Sequence, residues 1–458
     1  MSELYDQLDP KSIEVFGKRL LNNTLRTTTG CLPVPEESLD LVTGGSTRGS
    51  FGTILEKYYF GITPGNESEP DFRMAKVELK ATPLKLLRTG LYSAKERLVL
   101  NMINYRKEAE LDFTTSSFMH KNAQIMLVSY LHLDGEKLGD YPVKIAKLIR
   151  FSDLPEEDRK IIQEDWNKIV EKIKDCRAHE LSEGDTLYLG ACTKGANSTV
   201  MTPQCGGGEA KPRAFSFKGG YMTTLARREL MPTSLSEMEA VVKDPKDLDW
   251  LSFEALVISK LKPFVGKKTQ ELQQQIGEGL NSNSKDYFAA LARRMLGVKK
   301  QKVEELEKAE IIMKTVRLNK KGRPKESMSF PAFKYKELAG EVWEESTLIE
   351  QLSKRFLFFV YQYDEQGELY FRGAKFWTMP TSKLSGNVKL VWDQTVDKIK
   401  QSKASELTRE SVDMTIHVRP HSRNAEDTDV LPDGSLAIKK SFWINKNYLQ
   451  SILENLGF

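Results

Sequence analysis

The stretch Pro70-Asp71-Phe72-Arg73-Met74-Ala75-Lys76-Val77-Glu78-Leu79-Lys80 places an acid on a loop just ahead of Glu-x-Lys on a short strand. Side chains alternate across a strand, so Glu78 and Lys80 share one face while Val77 and Leu79 face a core. If Asp71 folds back beside that face, two carboxylates and an ammonium converge. Two acids suit a hard divalent cation bound through oxygen, Mg²⁺ above all. Such a cation neutralises charge on a scissile phosphate and acidifies a bound water, which Lys80 would orient. That is the chemistry of metal-dependent phosphodiester hydrolysis. The same residues also describe an edge strand with a solvated charged face, in a chain that is 29% Asp, Glu, Lys and Arg.

The elements around this stretch must hold it in place. Residues 9 to 30 read as a helix with Ile13, Phe16, Leu20 and Leu21 on one face. The glycine-rich run Thr43 to Gly49 could cradle phosphate or simply connect, since it lacks the Gly-Lys-Ser/Thr ending of a nucleotide loop. Ser50 to Gly61 predicts a short helix closed by glycine, with Phe51, Leu55 and Tyr58 or Tyr59 inward. Glu56 lies off that stripe and could reach the metal as a further acid. Residues 124 to 133 predict a buried strand, and His120 just before them could touch DNA, shuttle a proton or lie on the surface. Residues 152 to 175 predict an amphipathic helix capped by Ser152 or Asp153, with Pro155 in its first turn. Its stripe is Ile162, Trp166, Ile169 and Ile173.

The length of 458 residues suggests two or three domains, each able to bury its own core. With 68 basic and 64 acidic residues the net charge is only +4, so nucleic-acid contacts must come from local basic surfaces. The polar, acidic opening MSELYDQLDP predicts no secretion signal, and the apolar run near Phe356 to Tyr361 is too short to span a bilayer. Four scattered cysteines, Cys31, Cys176, Cys192 and Cys205, suggest a reducing compartment. A cytoplasmic, bacterial protein is expected.

Between Ala178 and Thr224 two short strands carry polar and basic loops. Leu187 to Leu189 leads into Cys192-Thr193-Lys194-Gly195-Ala196-Asn197, and Gly206 to Gly208 leads into Lys211-Pro212-Arg213-Ala214-Phe215-Ser216-Phe217-Lys218. Strands of this kind suit a groove, with basic groups on phosphates and hydroxyls or amides on base edges. A solvated loop would look the same. Cys192 and Cys205 lack companions for a zinc site.

The second half repeats the first in diluted form. Asp286 to Val298 falls on Ser50 to Ile62, Glu310 to Thr315 on Lys76 to Ala81, and Ile416 to Asn424 on Leu189 to Asn197. Lys439 to Trp443 answers the strand around Lys218. Glu56 is then replaced by Ala292 and Glu78 by Ile312, while Lys314 persists. The second copy should hold no metal, yet it is richer in basic groups near its loop: Arg419, Arg423, Lys439 and Lys440. The expected division is a catalytic domain over 1–240, a linker over 241–262 and a degenerate DNA-binding, regulatory domain over 263–458.

These residues resemble the MutH family within the wider PD-(D/E)xK nucleases, and among them the two-module, GATC-specific (Sau-type) type II restriction endonucleases. The resemblance rests on Val77 to Pro83, Lys95 to Asn101, Ala178 to Gly184 and Cys192 to Asn197, and on Lys325 to Phe330 and His417 to His421 in the second half. It implies a mixed α/β fold: two tandem MutH-like domains, the second catalytically degenerate. By motif match Glu56, Asp71, Glu78 and Lys80 form the active site, with Mg²⁺ on Asp71, Glu78 and Glu56. Thr193, Lys194, Asn197, Arg213, Ser216 and Lys218 match the base-reading region. Arg419, His421, Arg423, Lys439 and Lys440 would bind DNA in the second domain. The family has Arg-Pro in the reading loop, where the first half has Cys192-Thr193 and the second Arg419-Pro420. Double-stranded DNA containing GATC, a methyltransferase acting on the same site and dimerisation on DNA are further implications. A strand-nicking repair endonuclease and a non-catalytic DNA-binding protein are the alternatives. The residues themselves give a metal nuclease; GATC comes from the resemblance.

Overall fold

The structure, a computed structural model, describes residues 4–42, 50–63, 65, 68–194 and 199–458. The chain divides into two compact units, 1–253 with 302–310, and 254–301 with 311–458. No helix among the described residues is long and apolar enough to cross a membrane.

In the first unit, Asp9 caps helix α1 (Pro10–Lys18) by accepting from the backbone N–H groups of Lys11 and Ser12. The helix is shorter than the pattern over 9 to 30 predicts. Its chain turns at Leu20 and enters a left-handed residue at Asn22 (φ 60°). Ile13, Phe16 and Leu20 are buried as expected, but Leu21 is partly exposed beyond the helix. Helix α2 (Ser50–Ile54) widens into a π-turn over Leu55–Tyr59 and ends at Gly61, whose φ of 67° favours a residue without Cβ. Phe51, Leu55 and Tyr59 join the core.

The first sheet runs β2-β1-β4-β5, from β1 (Glu78–Leu86), β2 (Tyr92–Ala94), β4 (Gln124–Leu131) and β5 (Val143–Arg150). β1 and β4 are parallel; the other pairs are antiparallel. Helix α3 (Ser117–Asn122) leads into β4. A second, antiparallel sheet has the order β3-β7-β6, from β3 (Leu98–Met102), β6 (Leu189–Thr193) and β7 (Arg213–Phe217). Helix α4 (Glu156–Lys174) buries Ile162, Trp166, Ile169 and Ile173. Its N-terminus departs from the predicted cap. Phe151–Asp153 form a separate 3₁₀ turn, and Pro155 takes the cap position without a side-chain hydrogen bond. Asp165, wholly buried, accepts from the backbone N–H groups of Leu187, Tyr188 and Leu189 at 2.7, 2.6 and 2.9 Å, which fixes where β6 begins. Helix α5 (Gly219–Leu230) follows β7.

Residues 302–310, from the later sequence, complete this unit. Strand β8 (Met238–Glu239) pairs in parallel with β9 (Lys302–Val303), and helix α7 (Glu304–Ala309), after α6 (Tyr287–Met295) in the chain, packs on α5. Buried Glu305 accepts from the backbone N–H groups of Val241 and Val242 at 2.9 and 2.8 Å. Lys308 Nζ lies 2.7 Å from Asp158 Oδ1 and 2.8 Å from Glu304 Oε1, and the Lys308 and Asp158 side chains are 1% and 0% exposed. Burial works against the Lys308 charge, but its two carboxylate neighbours outweigh that and raise its pKa.

The second unit repeats the plan. β10 (Ile312–Leu318), β12 (Arg355–Tyr363) and β13 (Leu369–Thr378) form a sheet in that order, the first pair parallel and the second antiparallel. β11 (Met328–Ser329), β14 (Ile416–Pro420) and β15 (Lys440–Ile444) form an antiparallel sheet of order β11-β15-β14. Helices α8 (Thr347–Leu352), α9 (Lys389–Lys400) and α10 (Lys446–Asn455) occupy the places of α3, α4 and α5. Its core gathers Phe356, Phe358, Val360, Trp392, Ile416, Phe442 and Ile444, among others. Both units therefore have mixed α/β architecture.

Candidate active site

β1 puts Glu78 and Lys80 on one face, as the alternation requires, with Val77 and Leu79 buried behind. Glu78 is itself only 2% exposed. Lys80 Nζ donates to Glu78 Oε1 at 2.6 Å, and Lys121 Nζ at the end of α3 stands 3.6 Å from the same oxygen. Asp71 is clasped to the start of the strand. Its Oδ2 accepts the Leu79 N–H at 2.8 Å, and its own N–H donates to Glu78 Oε2 at 3.2 Å. A small bridge between Phe72 and Val77 closes the intervening turn, where Lys76 adopts a left-handed conformation (φ 53°).

Glu56, on the π-turn, comes within electrostatic reach of this cluster. Its pKa is pushed up to about 7, chiefly by burial and then by Asp71 and Glu78, with Lys80 and Lys121 pulling the other way. Burial likewise raises Glu78, with Lys80 opposing and Asp71 adding to the rise. Among the described residues no three Asp, Glu, His or Cys side chains form a ready-made ligand group for a metal. The acids are near enough to repel, and Asp71 and Glu78 are turned to backbone and lysine donors. A hard divalent cation fits this donor set: carboxylate oxygens from three elements whose mutual repulsion it would relieve.

Glu56 gives a pH-dependent stability in metal-free protein. Its folded pKa lies above its unfolded one, so the folded state holds the extra proton between about pH 4.5 and about 7. Stability is then fully present below about pH 4.5 and falls as pH rises through about 7. After discounting for the group's partial exposure, the fall is expected to be about 1–2 kcal/mol. Urea unfolding in chelator at pH 5 and pH 8 measures it, and Glu56→Gln should flatten the difference. An unchanged difference in that variant would assign it to another group.

Lys121 was not picked out by sequence reasoning. It comes from a helix far along the chain, and only the adjacency of β1 to β4 brings it to Glu78. His120 beside it faces outward to Glu69 at 3.0 Å and is half exposed.

The expected base-reading residues divide. Thr193 and Lys194 are exposed at the end of β6, the latter donating its backbone N–H to Pro212 at 2.7 Å. Asn197, like the glycine-rich run Thr43 to Gly49, lies outside the described residues. Arg213, Ser216 and Lys218 are buried. The Arg213 guanidinium donates to the carbonyls of Ala191 (2.6 Å) and Leu181, and the Lys218 ammonium to that of Thr186. As placed, these cations hold β6 and β7 together and do not face a groove.

Strand register matches the two copies residue by residue. Glu78 lies opposite Ile125, second in β4, and Ile312 opposite Phe356, second in β12; Lys80 then matches Lys314. Glu56 precedes Gly61 as Ala292 precedes Gly297, both glycines having positive φ. Counted from the serines that cap α3 and α8, Ser116 and Ser346, Lys121 matches Gln351. In the other sheet Leu189 faces Phe217 as Ile416 faces Ile444, so Cys192 and Thr193 match Arg419 and Pro420. The Arg419 guanidinium sits 3.7 Å above the Trp443 ring, whose edge also meets His421 at 5.4 Å. Arg423 and Lys439 both pair with Asp427, while Lys440 donates to the Ala404 carbonyl.

Comparison with known proteins agrees with this plan. The family model for the DNA mismatch repair enzyme MutH matches residues 60–165 and 297–383, one segment in each copy. The Type II restriction enzyme Sau3AI of Staphylococcus aureus is 36% identical, covering 96% of this chain and 99% of its own. With a likeness of that strength along nearly the whole of both sequences, the chain belongs to the MutH-related family of type II restriction endonucleases.

Proposed function

We propose that the chain is a Mg²⁺-dependent endonuclease that hydrolyses both strands of DNA at GATC. Residues 1–240 would supply the catalytic domain, and 263–458 a degenerate copy that binds a further site and regulates cleavage. The observation that carries this reading is the contrast at matched registers. Glu78 and Lys80 keep their acid-lysine pair in one copy, and Ile312 stands beside Lys314 in the other.

Asp71 and Glu78 would hold Mg²⁺, with Glu56 as a further acid. When bound, Mg²⁺ supplies neutralisation of the scissile phosphate and a lowered pKa for its water. The Lys80 ammonium, fixed against Glu78 at 2.6 Å, positions the attacking water. Lys121 adds a second cation where negative charge develops on the phosphate oxygens. Burial of Glu78 keeps competing solvent off its carboxylate. One chain offers one such site and GATC is palindromic, so two chains on one site, or successive nicks, cut both strands. Thr193, Lys194 and Asn197 remain the proposed base readers of this domain, and Arg419 with His421 those of the second.

The test is a digest of two matched plasmids, one with several GATC sites and one without, in Mg²⁺ and in chelator. Defined linear fragments from the first alone, and only in Mg²⁺, are expected. Nicked circles alone would move the reading to a repair nickase, and two intact plasmids would leave a binding protein.

A further inference from the structure

The second copy has lost the counterparts of Glu56 and Glu78 but kept a lysine at the position of Lys80. At matched registers Ile312 replaces Glu78, Ala292 replaces Glu56 and Gln351 replaces Lys121. The Lys314 ammonium donates to the Ser329 carbonyl at 3.1 Å and lies 5.5 Å over the Phe330 ring, at the rim of the unit's core. In the first copy the corresponding ammonium is spent on Glu78 at 2.6 Å.

A DNA phosphate approaching these two places meets opposite fields. In the first copy Glu56, Asp71 and Glu78 repel it unless a cation intervenes. In the second copy Ile312 stands where Glu78 would repel it, and the Lys314 ammonium lies over the Phe330 ring in a desolvated place whose low polarity strengthens its attraction for an anion. Burial also pushes the Lys314 pKa down, a penalty that an adjacent phosphate would remove.

We infer that Lys314 makes the degenerate site a metal-independent holder of one DNA phosphodiester, taking the backbone at the place where the first copy cuts it. This rests on the reading of the second unit as a DNA-binding copy. It adds the residue and the absence of any metal requirement.

The experiment uses the full chain and a fluorescent duplex with one GATC, in EDTA, with affinity followed against salt. Neutralising one phosphate contributes about 0.9 to the slope of log K against log[salt], and on the order of tenfold in affinity at 0.1 M salt. Lys314→Met and Lys314→Gln should both lose that much slope and affinity, and Lys314→Arg should keep them. Lys18→Met, at an exposed lysine of helix α1 paired with Glu14 at 3.0 Å, should leave the EDTA slope unchanged. A merely structural lysine would change the melting temperature without changing the slope.

If the duplex binds in EDTA and the Lys314 variants keep the wild-type slope, the assignment to Lys314 is overturned while the regulatory reading stands. If Lys18→Met lowers the slope by as much, the loss reflects net charge alone and the proposal fails. If nothing binds in EDTA, the metal-independent site is refuted. Binding that returns in Ca²⁺ and survives disruption of Arg419 would then count against the second unit as a DNA reader.

Discussion

Glu78→Ala is expected to lower the single-turnover rate of DNA cleavage in Mg²⁺ by roughly a thousandfold or more, while DNA binding in chelator is kept or strengthened. The rate follows from the site. Glu78 contacts both lysines, Lys80 at 2.6 Å and Lys121 at 3.6 Å, and it also accepts from the Asp71 backbone. Its loss would remove an oxygen proposed to hold the metal and free the lysine proposed to position water. A catalytic metal supplies several kcal/mol of transition-state stabilisation, and each 1.36 kcal/mol is tenfold in rate. Binding goes the other way because the substitution deletes a buried negative charge beside the incoming phosphate. Glu78→Gln, which keeps the shape, separates lost charge from lost packing and should be nearly as inactive. A rate within tenfold of wild type in either variant would show that this carboxylate does not hold the metal.

The largest expected effect on stability lies elsewhere, at Lys308. Lys308→Ala would leave Asp158 wholly buried with its partner gone, and breaking such a pair typically costs about 3–5 kcal/mol. The double variant Lys308→Met with Asp158→Leu removes both charges and should recover most of the loss, since an apolar pair of similar volume is often neutral. Urea unfolding of the single and double variants gives the coupling. Tyr188 and Tyr221 stack on each other at 5.0 Å in the same unit, so near-ultraviolet circular dichroism should follow the transition. A single variant as stable as the double would mean that Asp158 finds another partner or simply takes up a proton.

Much of the candidate site's geometry follows from the residue pattern alone. Two-residue alternation placed Glu78 with Lys80, and the short loop let Asp71 return to the strand, where a backbone hydrogen bond to Leu79 now holds it. The glycine after Tyr59 and Phe60 marked the end of the helix that carries Glu56. Other features were beyond reach for definable reasons. Lys121 depends on which strand lies next to β1, and parallel pairing leaves no local signal. Arg213 and Lys218 have the residue types of a groove surface, but type does not say whether a cation faces solvent or an unmet carbonyl. The helix over 9 to 30 overran because Leu20 and Leu21 continue the apolar pattern past the point where the backbone turns. Nothing in the local sequence of 302–310 announces that it folds with Val242, 63 positions earlier, and with Asp158, 150 positions earlier.

That last feature bears on how the two copies can be separated. Duplicated domains joined end to end can usually be cut apart, moved between genes or lost one at a time. Here the earlier copy is finished by a short strand and helix encoded inside the later one. A truncated chain ending at Phe253 would lack the buried lysine that matches Asp158, the carboxylate that meets the N–H groups of Val241 and Val242, and the partner strand of β8. Deletion of the later copy would therefore injure the earlier one directly, whatever the later copy does with DNA. Once such a borrowing was established, inheritance could only pass the tandem on as one piece.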